Sequence, residues 1–420
     1  MASSNVQAVT NFYESIKKRD MPGVAAIFAD DVVWVASHIP PVEGTYTGKQ
    51  AVLGQALGRI VANWGGIYVQ PDRIIDAGDQ VVVLGRYRDA AAGPGETIEA
   101  RTVHAWTFKD GKAVRVEQLT DTEKFAHAFA LSPAGRYPVS GRTVNVNGLE
   151  IFYREAGERT APALVLLHGF PSSSHMFRNL IPELAGRYRV LALDYPGFGL
   201  SASPSPQEFA YTFDNLAKVT TNWLDAVGVT DFALYMQDYG GPVGFRIASA
   251  QPDRVRGIIT QNANAYAEGL SPNLAPLVAY MSNPTPETEA PVRQFLTLQT
   301  TKFQYTHGAR HPERVDPASW LVDQFFLDRP GNAEIQLSLI RDYKTNPGLY
   351  PAWQKYLRDR RPPTLVVWGK NDPFFTPEGA NAFTRDVPGA EVHLLDTGHF
   401  ALEEDAPRIG QLIRRFRDRI

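Results

Sequence analysis

Asp238 is the residue with the most chemistry around it. It ends the apolar run DFALYM-Gln237 and precedes Tyr239, Gly240 and Gly241. A strand, a sharp turn and a helix that starts on small residues form a nucleophile elbow, which lifts one side chain clear of the end of a sheet. Serine is usual at such an elbow, and here aspartate replaces it. A carboxylate needs no base to deprotonate it, and it attacks carbon to leave an ester on the enzyme. Serine would suit acyl transfer, whereas aspartate suits displacement at a saturated carbon. Other segments end apolar runs in the same way: His168-Gly169-Phe170-Pro171 after ALVLL, Asp372 in WGKNDPFF and His399 in DTGHFALEE. A glycine-containing turn such as the first can aim a backbone N–H at developing negative charge. The chain order fits nucleophile, acid, base, with His399 activating water against the ester and Asp372 fixing its tautomer and stabilising its cationic form. Each motif alone is ordinary, since an aspartate at a helix start is commonly a cap and most histidines are structural. Joint occurrence in this order, each at a strand's carboxyl end, favours the catalytic reading.

The elements that must position these residues alternate along the second half of the chain. Apolar runs recur at ALVLLHGF, YRVLALDY, DFALYMQD, RGIITQNA, TLVVWGKND and AEVHLLDTGH, with helical stretches between most of them. Repeated βαβ units give a mostly parallel sheet covered on both faces. From about Ala265 to Arg360 no good strand appears, only helix-like segments. An insertion of that length after a strand would cover the carboxyl ends of the sheet as a cap.

The first half reads differently. Val6, Val9, Phe12, Tyr13 and Ile16 recur at helical spacing, MPGVAAIFA suggests a second short helix, and strand-like segments follow at VVWVAS, QVVVLGRYRDA and RTVHAWTFKDGKAVRVEQLTD. Lys109-Asp110-Gly111 between two alternating runs predicts a hairpin. Helices first and antiparallel strands afterwards mean α+β. Pro, Gly and Ser cluster at Leu131–Arg142, so the expected division is residues 1–130, a linker at 131–142, and 143–420 with its cap at about 265–360.

Composition narrows the class. The 420 residues are 44% apolar and 21% charged, with 42 Lys+Arg against 45 Asp+Glu and no cysteine. Near-neutral balance argues against a nucleic-acid surface, and the lack of cysteine excludes disulfides, thiolate metal sites and a cysteine nucleophile. No apolar h-region opens the chain and no long apolar run spans a membrane, so the expectation is a soluble cytoplasmic protein. No cofactor is implied. His307 and His311 are followed by Pro312 in a loop without a third ligand, and Tyr195-Pro196-Gly197-Phe198-Gly199 lacks the lysine and spacing of a phosphate loop. That segment is read as a tight turn beside the site. Phe303, Trp320, Phe325 and Phe326 are read as cap core, with lining of an apolar pocket as the alternative.

On these motifs, residues from about Val144 to Ile420 resemble the α/β-hydrolase fold, in its branch with an aspartate nucleophile. That branch holds epoxide hydrolases, haloalkane dehalogenases and fluoroacetate dehalogenases. The resemblance implies a small apolar substrate and water as reactants. HGFP is the form usual in epoxide hydrolases and fluoroacetate dehalogenases. Haloalkane dehalogenases commonly have Asn or Glu where this chain has Phe170, and a tryptophan whose indole holds the halide where it has Tyr239. Gln237-Asp238 followed by Gly-Gly is dehalogenase-like. Fluoroacetate dehalogenases usually have arginine after the nucleophile, which is not the case here. Epoxide opening needs an acid for the alkoxide, and the family uses cap tyrosines. Ala279-Tyr280-Met281-Ser282-Asn283-Pro284 resembles the first tyrosine segment and Arg341-Asp342-Tyr343-Lys344 the second. With 17 tyrosines in the chain, a core or surface role stands beside the catalytic one for both; Tyr266, Tyr305 and Tyr350 are the other cap candidates. The implied site is Asp238, His399 and Asp372 with Tyr343 and Tyr280, lined by Phe170, Tyr239, His168 and Gly169. The expected reaction is epoxide opening to a diol, with haloalkane or haloacid dehalogenation as the alternative.

Residues 5 to about 128 resemble the SnoaL-like, or NTF2-like, α+β cones through FADDVVWVAS, EGTYTGKQAV and HAWTFKDGKAVRVEQLTDT. Ketosteroid isomerases and polyketide cyclases share this cone, and many members catalyse nothing known. Alternation puts Thr102, His104, Trp106 and Phe108 on one face, with His38 and Asp121 near strand ends. A histidine and an aspartate in an apolar cone could transfer protons, but we read His104 as a buried structural histidine and Asp121 as a solvated strand end. Such cones often dimerise through their sheets, so a homo-oligomer through this domain is expected, with assembly or substrate gating as its simplest role. The remaining alternatives are isomerase or cyclase activity in the first half and a non-catalytic binding protein on a hydrolase scaffold.

Overall fold

A computed structural model describes residues 3–18, 20–37, 44–57, 67–89, 100–120 and 137–416. The chain forms two compact units, 1–136 and 137–420. His38, Asp121 and the first part of the expected linker lie outside the described residues.

The first unit has six strands: β1 (Phe28–Ser37), β2 (Gly44–Thr47), β3 (Ile67–Ala77), β4 (Gln80–Asp89), β5 (Arg101–Lys109) and β6 (Lys112–Thr120), in the order β2-β1-β6-β5-β4-β3. All neighbours are antiparallel except β1 and β6, which correct the expectation of antiparallel strands alone. Asp110 and Gly111 both take positive φ (50° and 73°), the backbone of the tight hairpin their sequence predicts. Helix Ser4–Lys18 buries Val9, Phe12 and Tyr13, and Phe12, Phe28, Trp34 and Trp106 form the aromatic centre of this core. Thr102, His104, Trp106 and Phe108 are buried together, as alternation requires.

The second unit is built on β7 (Ser140–Val146), β8 (Leu149–Ala156), β9 (Ala163–Leu167), β10 (Arg189–Leu193), β11 (Phe232–Gln237), β12 (Val255–Gln261), β13 (Thr364–Gly369) and β14 (Glu391–Leu395), in the order β14-β13-β12-β11-β9-β10-β8-β7. The hairpin β7–β8 and the pair β8–β10 are antiparallel, and the others are parallel. Every residue of β11 is buried, as a central strand covered on both faces must be. The expected linker runs three residues too far, because Ser140, Gly141 and Arg142 pair with β8. Gly141 marks this edge for packing rather than for a break: a Cβ there would lie 3.0 Å from the Phe152 ring.

The cap lies between β12 and β13, as the missing strand signal implied. Its helices include Ala275–Ser282, Pro286–Arg293, Leu298–Thr306, Pro317–Leu327, Asn332–Asp342 and Thr345–Arg360. The last returns to the main body, where Trp353 stacks on Phe245 of helix Gly240–Ala250 at 5.4 Å. Helix Pro317–Leu327 buries Trp320, Asp323, Gln324 and Leu327, one face at helical spacing, and so turns Phe325 out to 71% exposure. Phe325 and the exposed Phe303 are therefore not cap core, whereas Trp320 is buried. No helix among the described residues is long and apolar enough to cross a membrane.

Candidate active site

Asp238 follows β11 with φ at 48°. Left-handed backbone costs a non-glycine residue about 1–2 kcal/mol, with aspartate among the more tolerant types. Small residues allow the chain to come this close. A Cβ on Gly240 would run into the Leu167 carbonyl at the end of β9, and one on Gly169 would collide with the Asp238 side chain. Gly169 thus admits the carboxylate against the loop that follows β9. The next residue's N–H, on Phe170, donates to Asp238 Oδ1 at 2.7 Å, and the Tyr239 N–H also favours the charged form. Burial pushes the Asp238 carboxyl above the ordinary range. The nearby His399 and the two N–H groups oppose that rise, while Asp372 adds to it.

His399, at the loop after β14, is 1% exposed. Its Nδ1 lies 2.7 Å from Asp372 Oδ2, and its Nε2 lies 2.9 Å from Gln237 Nε2. With the Gln237 amide donating to Nε2, the imidazole carries its proton on Nδ1, towards Asp372. Burial works against the imidazolium, but the charge and hydrogen bond of Asp372, with Asp238 beyond, raise the His399 pKa above its ordinary value. Asp372 is itself held: Asn262 Nδ2 donates to Oδ2 at 2.8 Å and the Phe374 N–H to Oδ1 at 2.8 Å. Asn262 ties the arrangement together. Its carbonyl accepts the Asp238 N–H at 3.2 Å, and its side chain bonds both the N–H and the carbonyl of Gly369 at the end of β13. Gln237 and Asn262 carried no assigned role in the sequence. Gln237 had a signal in its position, since it ends β11 beside Asp238, whereas Asn262, one residue past β12, adjoins no assigned residue.

The other expected site residues divide. Tyr239 and Tyr343 face one another with ring centroids 6.1 Å apart, and Phe170 lies 6.0 Å from Tyr239. Burial raises the Tyr343 phenol well above its ordinary pKa, and Tyr350 and Asp238 act on it in the same direction. Tyr343 therefore remains a protonated phenol near the elbow carboxylate. Tyr280 is held elsewhere. Its hydroxyl donates to Glu289 at 3.1 Å, and its ring packs with Val292, Leu337 and Ile340 in a separate cap cluster. His168 is buried, with Nδ1 3.1 Å from the Gly169 carbonyl and Nε2 accepting the Tyr195 N–H at 3.1 Å. Burial lowers its pKa to about 3, so it is a neutral brace for two loops. Gly197 and Gly199 take positive φ in the tight turn expected beside the site. Tyr266 donates to Asp386 and Tyr305 to Asp323. Among the described residues no group of His, Cys, Asp and Glu is arranged to hold a metal ion.

Residues 162–406 match the family model of the α/β hydrolase fold. The chain belongs to the α/β-hydrolase fold family. This α/β-hydrolase carries an N-terminal SnoaL-like domain, matched over residues 9–116. It is 44% identical over 278 residues to an uncharacterized hydrolase of Saccharomyces cerevisiae, covering 64% of this chain and 93% of that protein. It is 30% identical over 290 residues to haloalkane dehalogenase 2 of Mycobacterium tuberculosis, covering 67% of this chain and 96% of the relative. The structure of the haloalkane dehalogenase DatA from Agrobacterium tumefaciens superposes with a TM-score of 0.57 at 25% identity, covering 69% of this chain and 99% of that one. The α/β-hydrolase is thus related to haloalkane dehalogenases.

Proposed function

We propose that this α/β-hydrolase opens epoxides to diols through an ester on Asp238. An Asp238 carboxylate oxygen bonds to an epoxide carbon as the C–O bond breaks, and the Tyr343 phenol donates to the alkoxide that forms. His399 Nε2 then takes a proton from water, and the hydroxide attacks the ester carbonyl carbon. The N–H groups of Phe170 and Tyr239 stabilise the oxyanion of that intermediate. Its collapse releases the diol and restores the carboxylate, while the proton on His399 returns to the alkoxide or phenolate oxygen. For Nε2 to receive this proton, water must replace or share the Gln237 amide contact.

The observation that carries the proposal is a buried carboxylate at a strained elbow, accepting the Phe170 N–H, with the protonated Tyr343 phenol in its electrostatic range. An alkoxide is strongly basic and needs such a donor; a halide is weakly basic and gains little from one. Tyr350, buried beside Tyr343, supports this polarity as a second phenol in place of Tyr280. A second reading, halide displacement, is favoured by the relatives named haloalkane dehalogenases. The test pairs His399→Gln with Tyr343→Phe. His399→Gln should trap an adduct, seen as a mass increase on Asp238. Tyr343→Phe should slow alkylation by styrene oxide about a hundredfold, the usual scale for one lost oxyanion donor, and leave alkylation by 1-bromobutane nearly unchanged. Unchanged epoxide alkylation would remove the case for epoxides; absence of any adduct would remove the case for Asp238.

A further inference from the structure

The cap sends one buried carboxylate into the catalytic layer. Asp323, on helix Pro317–Leu327, is 1% exposed. Its Oδ1 accepts the Ser172 hydroxyl at 3.2 Å, and its Oδ2 accepts the Tyr305 hydroxyl at 2.5 Å. Ser172 lies two residues beyond Phe170, whose N–H holds Asp238. The Tyr305 ring stacks on Phe400 at 3.8 Å and 5°, and Phe400 follows His399 and meets its imidazole edge-on at 5.1 Å. One carboxylate therefore touches the loop that positions the proposed nucleophile directly, at Ser172, and the loop that positions the proposed base through one intermediary, Tyr305.

We propose that Asp323 is a positioning residue that holds both loops from the cap, and that its ionisation sets how firmly it holds them. The inference rests on the reading of Asp238 as nucleophile and His399 as base. Buried carboxylates ordinarily carry a cationic partner. The cation facing this one, Arg178, is bound to Glu403 at 2.7 Å and to the Ser319 hydroxyl at 2.7 Å. The groups acting on Asp323 are Tyr305 from helix Leu298–Thr306, Ser172 and Arg178 from the segment after β9, and Glu403 from helix Leu402–Phe416. Burial dominates and raises the carboxyl to about 7, with Glu403 adding to the rise and the two hydroxyls and Arg178 opposing it. Burial keeps Tyr305 itself protonated. An ionised Asp323 accepts from both hydroxyls at once. A protonated Asp323 must donate to one of the same two oxygens, so one of the two ties reverses or breaks.

The sign of the stability effect follows from where the proton sits. Between the ordinary carboxyl range and pH 7, native Asp323 holds a proton that the unfolded chain has released. The contribution of Asp323 to stability therefore falls as pH rises through that window. Asp323→Asn is neutral throughout and lacks this slope.

The experiment uses the full chain as wild type, Asp323→Asn, Ser172→Ala and Tyr305→Phe. Between pH 5 and 8 the thermal midpoint of wild type should fall relative to that of Asp323→Asn as pH rises. Single turnovers with styrene oxide, and with 1-bromobutane, are followed by the mass of Asp238. Ser172→Ala should slow adduct formation about tenfold and Tyr305→Phe should slow adduct loss about tenfold, splitting the two half-reactions. At the acid end, adduct loss in wild type should fall about tenfold per pH unit as His399 protonates, with a further step of about tenfold as Asp323 protonates, and Asp323→Asn should show the His399 limb without that step. Adducts that form and clear at wild-type rates and pH profiles in all three variants overturn the inference alone. Absence of an adduct in His399→Gln, where adduct loss is blocked, overturns the nucleophile reading and the positioning role with it.

Discussion

At the scale of single residues, the decisive contact is the 2.7 Å pair between His399 Nδ1 and Asp372 Oδ2. It fixes which imidazole nitrogen is free to take a proton, and it raises the His399 pKa against the opposing effect of burial. A base must be neutral to act, so hydrolysis of the ester should weaken as pH falls through the raised His399 pKa. Asp372→Asn removes the charge while keeping the shape. The acid limb of adduct loss should then move to lower pH, and the rate on the plateau should fall by about 10⁴, as when other triads lose this carboxylate. Adduct formation, which does not use the base, should change far less. Stopped mixing at several pH values, with the adduct counted by mass, separates the two rates. An equal loss in both steps would mean that Asp372 supports the loop rather than the imidazole.

At the scale of elements, the elbow is a meeting of three backbones. Gly240 opens helix Gly240–Ala250 directly against the Leu167 carbonyl of β9. Gly240→Ala puts a methyl group into rigid backbone, so overpacking should cost about 1–3 kcal/mol and lower the melting temperature by roughly 2–10 °C. Adduct formation should fall with it, because β9 leads into Gly169 and Phe170. Calorimetry and adduct yield on the same sample check both, and an unshifted melting temperature would contradict the close approach. The sequence showed this elbow because its strand, turn and helix signals are local. It also showed the six parallel-sheet runs, the cap interval and the Asp110-Gly111 hairpin. It hid elements whose local signal is broken. β3 contains Pro71, which reads as a strand breaker, yet β3 is an edge strand with an irregularity between Pro71 and Arg73 that accommodates it. The β7–β8 hairpin begins inside a Pro-, Gly- and Ser-rich stretch, although Asn147 and Gly148 form its tight turn with φ of 52° and 90°. Tyr280 and Tyr343 looked alike as motifs, and only the packing of helix Ala275–Ser282 against its cap neighbours separates them. Gln237 and Asn262 act through contacts 162 and 110 residues away along the chain, and no local pattern records such contacts.

At the scale of the whole molecule, the two units differ in what they offer chemistry. Each has its own core, around Trp34 and Trp106 in the first and on both faces of the sheet in the second. In the first unit His104 Nδ1 lies 2.7 Å from the Tyr13 hydroxyl, and burial lowers its pKa to about 3. Such a histidine stays neutral at working pH and holds a proton poorly, which supports a structural role over proton transfer. Among the described residues, the hydrogen bonds that hold the side chains of Asp238, Asp372 and His399 come from Phe170, Gln237, Asn262 and Phe374 and from the Asp372–His399 pair itself. A chain beginning at Tyr137 keeps β7 whole and retains all of these contacts. We therefore expect residues 137–420 with His399→Gln to form the Asp238 adduct within about threefold of the full-length variant, since these contacts lie within one compact unit. The full chain should unfold in separate transitions, one of which matches the fragment's melting temperature. Cutting instead at residue 143, inside β7, removes three residues paired with β8 and should lower that temperature. A folded 137–420 fragment that no longer alkylates would assign the SnoaL-like domain a direct part in the reaction, through groups that the contacts around Asp238 do not include.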